Sequence, residues 1–143
     1  MDSDNQLIRK SYLIYAIILI TTGVSLGAIG AHGLEKLVED GVLEAKNVTS
    51  WKTGVLYQLL MAGGIILMIL LEGFYRLNSL KVPLLILSIG VTLFSFSIYI
   101  LVLNHMWDIS ILKKIMIPLT PTGGILMITA WVIFLLKIVT HKK

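Results

Sequence analysis

Four unbroken apolar stretches dominate the chain, at about 12–31, 53–71, 82–103 and 115–136. None contains Asp, Glu, Lys or Arg, and charged residues stand at their edges: Arg9 and Lys10, Lys52, Glu72 and Arg76, Lys81, Lys113 and Lys114, Lys137. At ~1.5 Å per helical residue, about 20 residues cross a ~30 Å hydrocarbon core. Lipid offers no partner to backbone N–H and C=O groups, so a spanning segment is a helix or part of a closed barrel. Continuous runs without alternation select the helix. The pattern predicts an all-α integral membrane four-helix bundle forming one domain over residues 1–143.

Between the first two runs, Leu34, Leu37, Val38 and Val42 recur at helical spacing, while Glu35, Lys36, Glu39 and Asp40 take the other face. This predicts a short amphipathic helix at the membrane interface, ending near Gly41. Tyr12, Trp51 and Trp107 sit near run ends, as interfacial aromatics do. The first run is too long for a signal-peptide core of ~7–15 residues, so it is read as retained, although Ala28-Ile29-Gly30-Ala31 has the small residues of a cleavage site.

Composition agrees: 57% of residues are hydrophobic and 14% charged, and a soluble chain of 143 residues has no core large enough for that apolar surface. The net charge of +4 is scattered between the runs, which suits anchoring at lipid head groups and excludes a nucleic-acid patch. Absence of cysteine excludes disulfide and thiolate chemistry. With four spans both termini share one side, together with Arg9, Lys10, Arg76, Lys81, Lys137, Lys142 and Lys143. Five lysines lie opposite: Lys36, Lys46, Lys52, Lys113 and Lys114. The bias of seven to five favours cytoplasmic termini in a cell inner membrane.

Three constellations are candidates for chemistry. Gly23, Gly27 and Gly30 share one face of the first helix, either a ligand groove or a surface for close helix packing. Ser88, Thr92, Ser95 and Tyr99 form a polar stripe on the third helix, with Ser97 off it; this is a cavity wall or a set of interhelical hydrogen bonds. In Thr120-Pro121-Thr122-Gly123-Gly124, Thr120 is a good N-cap and Pro121 suits a first helical position. A helix restart there would expose N–H groups to an anion. Pro118 would break what precedes. His32 and His105 emerge on one side, where they could ligate a metal or haem with Glu35, or simply be solvated. The mid-span polar groups are hydroxyls, Gln58 and tyrosines, with no Asp, Glu, Lys or Arg, which argues against proton-driven transport by this chain alone.

These landmarks resemble a known family. Gly27-Ala28-Ile29-Gly30-Ala31-His32-Gly33-Leu34, then Trp51-Lys52-Thr53-Gly54 and Tyr57-Gln58, are similar to the first half of the YgdD-like family of small inner-membrane proteins. Phe94-Ser95-Phe96-Ser97-Ile98-Tyr99 and Thr120-Pro121-Thr122-Gly123-Gly124 with Trp131 resemble its second half. The resemblance implies four membrane helices and carries no activity. The chain departs from the family at Met61, where a histidine is usual, at Phe96 and Ala130, where glycines are usual, and in a longer stretch over 104–114. Phe96 is expected to push a neighbouring helix away or close a gap.

The expectation is a non-enzymatic accessory protein, scaffold or small subunit of a membrane assembly, without a cofactor or metal. Its partners would be the lipid bilayer and a homo-oligomer or larger membrane complex. The alternative is a binder or transporter of a small or lipid-like ligand held within the bundle by His32, Gln58, Ser95, Tyr99, Thr120, Gly123 and Gly124.

Overall fold

The computed structural model describes residues 3–75, 77 and 79–141; Arg76, Lys142 and Lys143, counted above for orientation, lie outside them. Its elements in chain order are α1 (Ser3–Ile29), a π-helical turn (Gly30–Leu34), α2 (Glu35–Glu39), α3 (Ala45–Phe74), α4 (Lys81–Leu103) and α5 (Ser110–Val139). Four helices are long and apolar enough to cross a membrane.

The first helix does not stop at Ala31. One turn of π geometry carries it into α2, and Gly41, with φ +72°, ends the run. The expected amphipathic helix is therefore a prolongation of α1 rather than a separate element. Leu34 is buried and Leu37 and Val38 half-buried against Leu43, Val48 and Trp51, while Glu35 reaches Lys52 Nζ at 2.8 Å. Apolar contact with α3 directs this segment.

α3 starts eight residues before the apolar run. The Glu44 N–H donates to Asn47 Oδ1 (3.2 Å), which supplies a partner at the helix start. Thirty residues extend roughly 45 Å, longer than the ~30 Å core, so the first turns of α3 stand beyond the hydrocarbon. α4 tolerates Pro83 because it falls in the first turn, where its missing N–H has no intrahelical role.

α5 departs most from the sequence reading. It is one helix, with Pro118 and Pro121 inside it, so no helix restarts at Pro121 and Thr120 caps nothing. The Thr122 hydroxyl donates to Pro118 O (2.8 Å), the carbonyl one turn back on its own helix. The α4–α5 connection is closed by Asn104, fully buried, whose Nδ2 donates to Ile109 O (3.1 Å) and whose Oδ1 accepts from Ile109 N (3.0 Å). Asp108 takes the left-handed conformation there (φ +51°).

α3 and α4 pack together at the centre, with α1 laid on α3 and α5 on α4. The larger core cluster joins Ile65 and Met68 of α3 to Leu87 and Val91 of α4 and Ala130 and Phe134 of α5. The outer faces of α1 and α5 remain apolar and uncovered, as Ile17, Ile18, Ile125 and Ile128 show.

Candidate functional site

Glycine removes the side chain that keeps helix backbones apart, and the two seams of the bundle use this. On α1, a Cβ at Gly23 would stand 2.8 Å from Leu59 Cδ2, at Gly27 3.4 Å from Val55 Cγ1 and at Gly30 2.6 Å from Trp51 Cδ1. The α1 glycine face thus receives side chains of α3, and the Trp51 indole crosses it to donate to Leu26 O (2.8 Å). On α5, a Cβ at Gly123 would meet Phe94 N at 2.5 Å and Gly90 O at 2.7 Å. Gly90 and Gly123 bring the backbones of α4 and α5 together. Gly124 sees only Phe94 Cδ2, at 3.9 Å, and borders open space.

The polar stripe of α4 divides between two neighbours. Toward α1, Tyr15 donates its hydroxyl to Ser88 O (3.2 Å) and bonds Thr92 Oγ1. Toward α3, Ser95 donates to Gly54 O (2.9 Å) and Tyr99 to Gln58 Oε1 (2.8 Å). The Gln58 amide then donates to Leu19 O and Thr22 Oγ1 on α1, both at 2.8 Å. Trp51 covers the Tyr99 ring, centroids 4.6 Å apart. Gln58, Ser95 and Tyr99 are all buried. Ser97, off the stripe, bonds Thr120 Oγ1 across the α4–α5 seam (2.7 Å).

The structure therefore brings Gln58, Ser95 and Tyr99 together, but places Thr120 and Gly123 on the other seam and His32 on an exposed turn. Among the described residues no three His, Cys, Asp or Glu side chains are placed to hold a metal ion. Phe96 does not act on a neighbouring helix: it is 59% exposed and faces outward. Met61 is buried, and its sulfur accepts from the Trp131 indole at 3.4 Å.

Two features were missed in the sequence. The first is Glu72, read only as a flanking charge. It is buried, with Oε2 2.8 Å from Arg9 Nε and Oε1 accepting from Leu80 N (3.1 Å), tying α1, α3 and the start of α4 together. The second is a lateral cleft between α3 and α5 with α4 as its floor. A cavity of about 480 Å³ near Lys46 and His105 abuts one of about 440 Å³ lined by Tyr57, Met61, Gly124 and Trp131; Phe94 lines both. On α3 the lining residues Lys46, Ser50, Thr53, Tyr57 and Met61 recur at helical spacing, a signal present in the sequence but masked by their mixed polarity.

Outside the spans, the Glu44 carboxyl is held below the usual range by its hydrogen bond to Lys46 and by that lysine's charge. Asp108 is lowered in the same way by Lys113.

Residues 26–124 match the family model described as "Protein of unknown function (DUF423)". The chain belongs to the DUF423 family. It is 33% identical over 133 residues to the UPF0382 membrane protein YwdK of Bacillus subtilis, covering 92% of this chain and 98% of the relative. It is 32% identical over 128 residues to UPF0382 membrane protein SH2409 of Staphylococcus haemolyticus (90% and 94%). It is 39% identical over 111 residues to UPF0382 membrane protein C1782.12c of Schizosaccharomyces pombe (76% and 84%). No solved structure matches it. The DUF423 match begins at Leu26, the acceptor for Trp51, and ends at Gly124. It thus holds Gly27, Gly30, His32, Gln58, Ser95, Tyr99, Thr120, Gly123 and Gly124, and leaves Gly23 outside.

Proposed function

We propose that this DUF423 protein is a non-enzymatic scaffold or small subunit of an assembly in the cell inner membrane. The observation that carries this reading is where the interior polar groups find their partners. Gln58, Ser95, Tyr99, Ser97 and Thr120 bond one another or the backbones of neighbouring helices, so they serve helix association. Buried polar groups already paired within the chain leave a ligand little to bind in the bundle centre. The faces free to engage partners include the outer sides of α1 and α5, where large apolar residues are exposed. Cytoplasmic termini follow from the seven-to-five distribution of basic residues.

Native mass spectrometry of the full chain, extracted from its own membrane into nanodiscs, tests the proposal. A fixed homo-oligomer or a stoichiometric complex is expected; a strictly monomeric, partner-free protein overturns it. Reporter fusions at the C-terminus test the orientation, with cytoplasmic activity expected and extracytoplasmic activity refuting it.

A further inference from the structure

We infer that the cleft between α3 and α5 is a seat for one glycerophospholipid, its phosphate at the Lys46–Asn47–Ser50 end and one acyl chain running past Phe94 to Trp131. The site is separate from the buried Gln58–Tyr99 cluster and stands whether or not the chain assembles with others.

The walls are built from single helix faces. On α3, Lys46, Ser50, Thr53, Tyr57 and Met61 follow at steps of three or four residues; on α5, Thr120, Gly124, Ile128, Trp131 and Leu135 do the same. α4 supplies a floor of Phe94, Ile98 and Leu101. From Lys46 to Met61 the cleft follows α3 for about 22 Å, more than half of the ~30 Å hydrocarbon core. That length suits one chain together with its head group in the leaflet away from the termini.

Polarity changes along the cleft in the sense a phospholipid requires. The deep part is lined by Met61, Met127, Ile128, Trp131, Val132 and Leu135. The outer part holds Lys46, Ser50, Asn47 and His105. Asn47 adds an amide to this wall: it is only 3% exposed as a residue, its Oδ1 accepts from Glu44 N, and it lines the cavity. Lys46 adds a cation, shared with Glu44 at 2.8 Å. His105 stands alongside with one ring nitrogen on Leu101 O (3.0 Å). These donors suit a phosphodiester, and the Glu44 carboxylate beside Lys46 favours a head group that also carries an amine. The surrounding bilayer supplies the acyl chain, so the occupant comes from the protein's own solvent.

Gly124 provides a clean test because a Cβ there touches only Phe94 Cδ2, at 3.9 Å. Gly124→Leu fills the cleft without driving α4 and α5 apart. The full chain in mild detergent is titrated with dioleoylphosphatidylethanolamine and, separately, with dioleoylglycerol, which lacks the phosphate, and bound lipid is counted by native mass spectrometry. One phospholipid per chain is expected, with dioleoylglycerol binding about tenfold more weakly, the loss expected from removing charge-assisted hydrogen bonds. Asn47→Leu and Lys46→Ala are expected to erase the preference between the two lipids. Gly124→Leu is expected to abolish both while keeping the wild-type thermal midpoint. Equal binding of the two lipids, a broad distribution of bound lipids without a one-to-one species, or unchanged binding in folded Gly124→Leu protein overturns the assignment.

Discussion

Replacing Gly123 by alanine tests whether backbone contact holds α4 to α5. The added Cβ would lie 2.5 Å from Phe94 N, 2.7 Å from Gly90 O and 2.9 Å from Phe94 Cα. All three are helix backbone atoms, so no side-chain rotation relieves the overlap. Ordinary contact begins at 3.4 Å, so the helices must part by about 0.9 Å along this line. A gap of that order forfeits roughly a quarter to a half of each dispersion well it opens, and overpacking a close-packed site costs about 1–3 kcal/mol. Alanine's better helix propensity returns about 0.5–1 kcal/mol, leaving a net loss of about 1 kcal/mol at the middle of these ranges. Gly63→Ala isolates the propensity effect, since nothing lies within 4 Å of a Cβ there; it should stabilise by about 0.5–1 kcal/mol. Unfolding in mixed lipid–detergent micelles with increasing SDS, followed by circular dichroism, measures both. A Gly123→Ala midpoint at or above wild type refutes the backbone-seam reasoning, and the Gly63→Ala result shows that the assay registers the opposing term.

The same assay reaches three other features. Gln58→Leu strands the buried Tyr99 hydroxyl and should cost about 1–3 kcal/mol. Adding Tyr99→Phe should recover part of that loss, and simple additivity of the two would show that they do not interact. Glu72→Ala, which removes both the Arg9 pairing and the acceptor for Leu80 N, should cost about 3–5 kcal/mol. Glu72→Gln keeps an acceptor for Leu80 and should cost less; the reverse order would contradict the geometry. The Asp108 carboxyl should titrate below the ordinary aspartate value in carbon-13 NMR and return toward it in Lys113→Met. Because the folded value is the lower one, its stabilising contribution is present above the unfolded-state pKa and is lost as pH falls through the folded value. A carboxyl titrating at the ordinary value would remove this ion pair from consideration.

The four spans were legible because apolar length reports directly on the bilayer. Helix ends were not, because α3 from Ala45 and α1 toward Ser3 continue through polar sequence where water and the Asn47 side chain satisfy the backbone. Pro118 and Pro121 misled for a related reason. A proline breaks a helix in water, but within lipid the competing broken backbone has nowhere to find partners, so α5 continues through both. The polar stripe of α4 was visible as a periodicity, yet periodicity does not say that Thr92 turns to α1 while Ser95 turns to α3. Glu72 was hidden because a buried carboxylate and an interfacial anchor look alike at the end of an apolar run. The cleft was hidden because its α3 wall mixes lysine, serine, tyrosine and methionine, whereas amphipathic patterns separate such residues.

The seams explain why small residues recur where they do. Without a hydrophobic push between helices in lipid, association rests on close packing and interhelical hydrogen bonds. The α1–α3 seam uses glycines filled by Trp51 and Leu59, the α3–α4 seam uses the Ser95 and Tyr99 hydrogen bonds, and the α4–α5 seam sets Gly90 against Gly123. Elements of all three fall within residues 26–124, the part matched by the family, whereas Arg9, which ties α1 to Glu72, falls outside it. Close approach of α5 to α4 at Gly123 also has a consequence on the opposite wall. Because α5 is drawn onto α4 and not onto α3, the α3–α5 side is left open down to Phe94. The tight seam thus creates the cleft: substitutions that loosen Gly123 should alter lipid retention as well as stability, whereas those at Gly124 should separate the two.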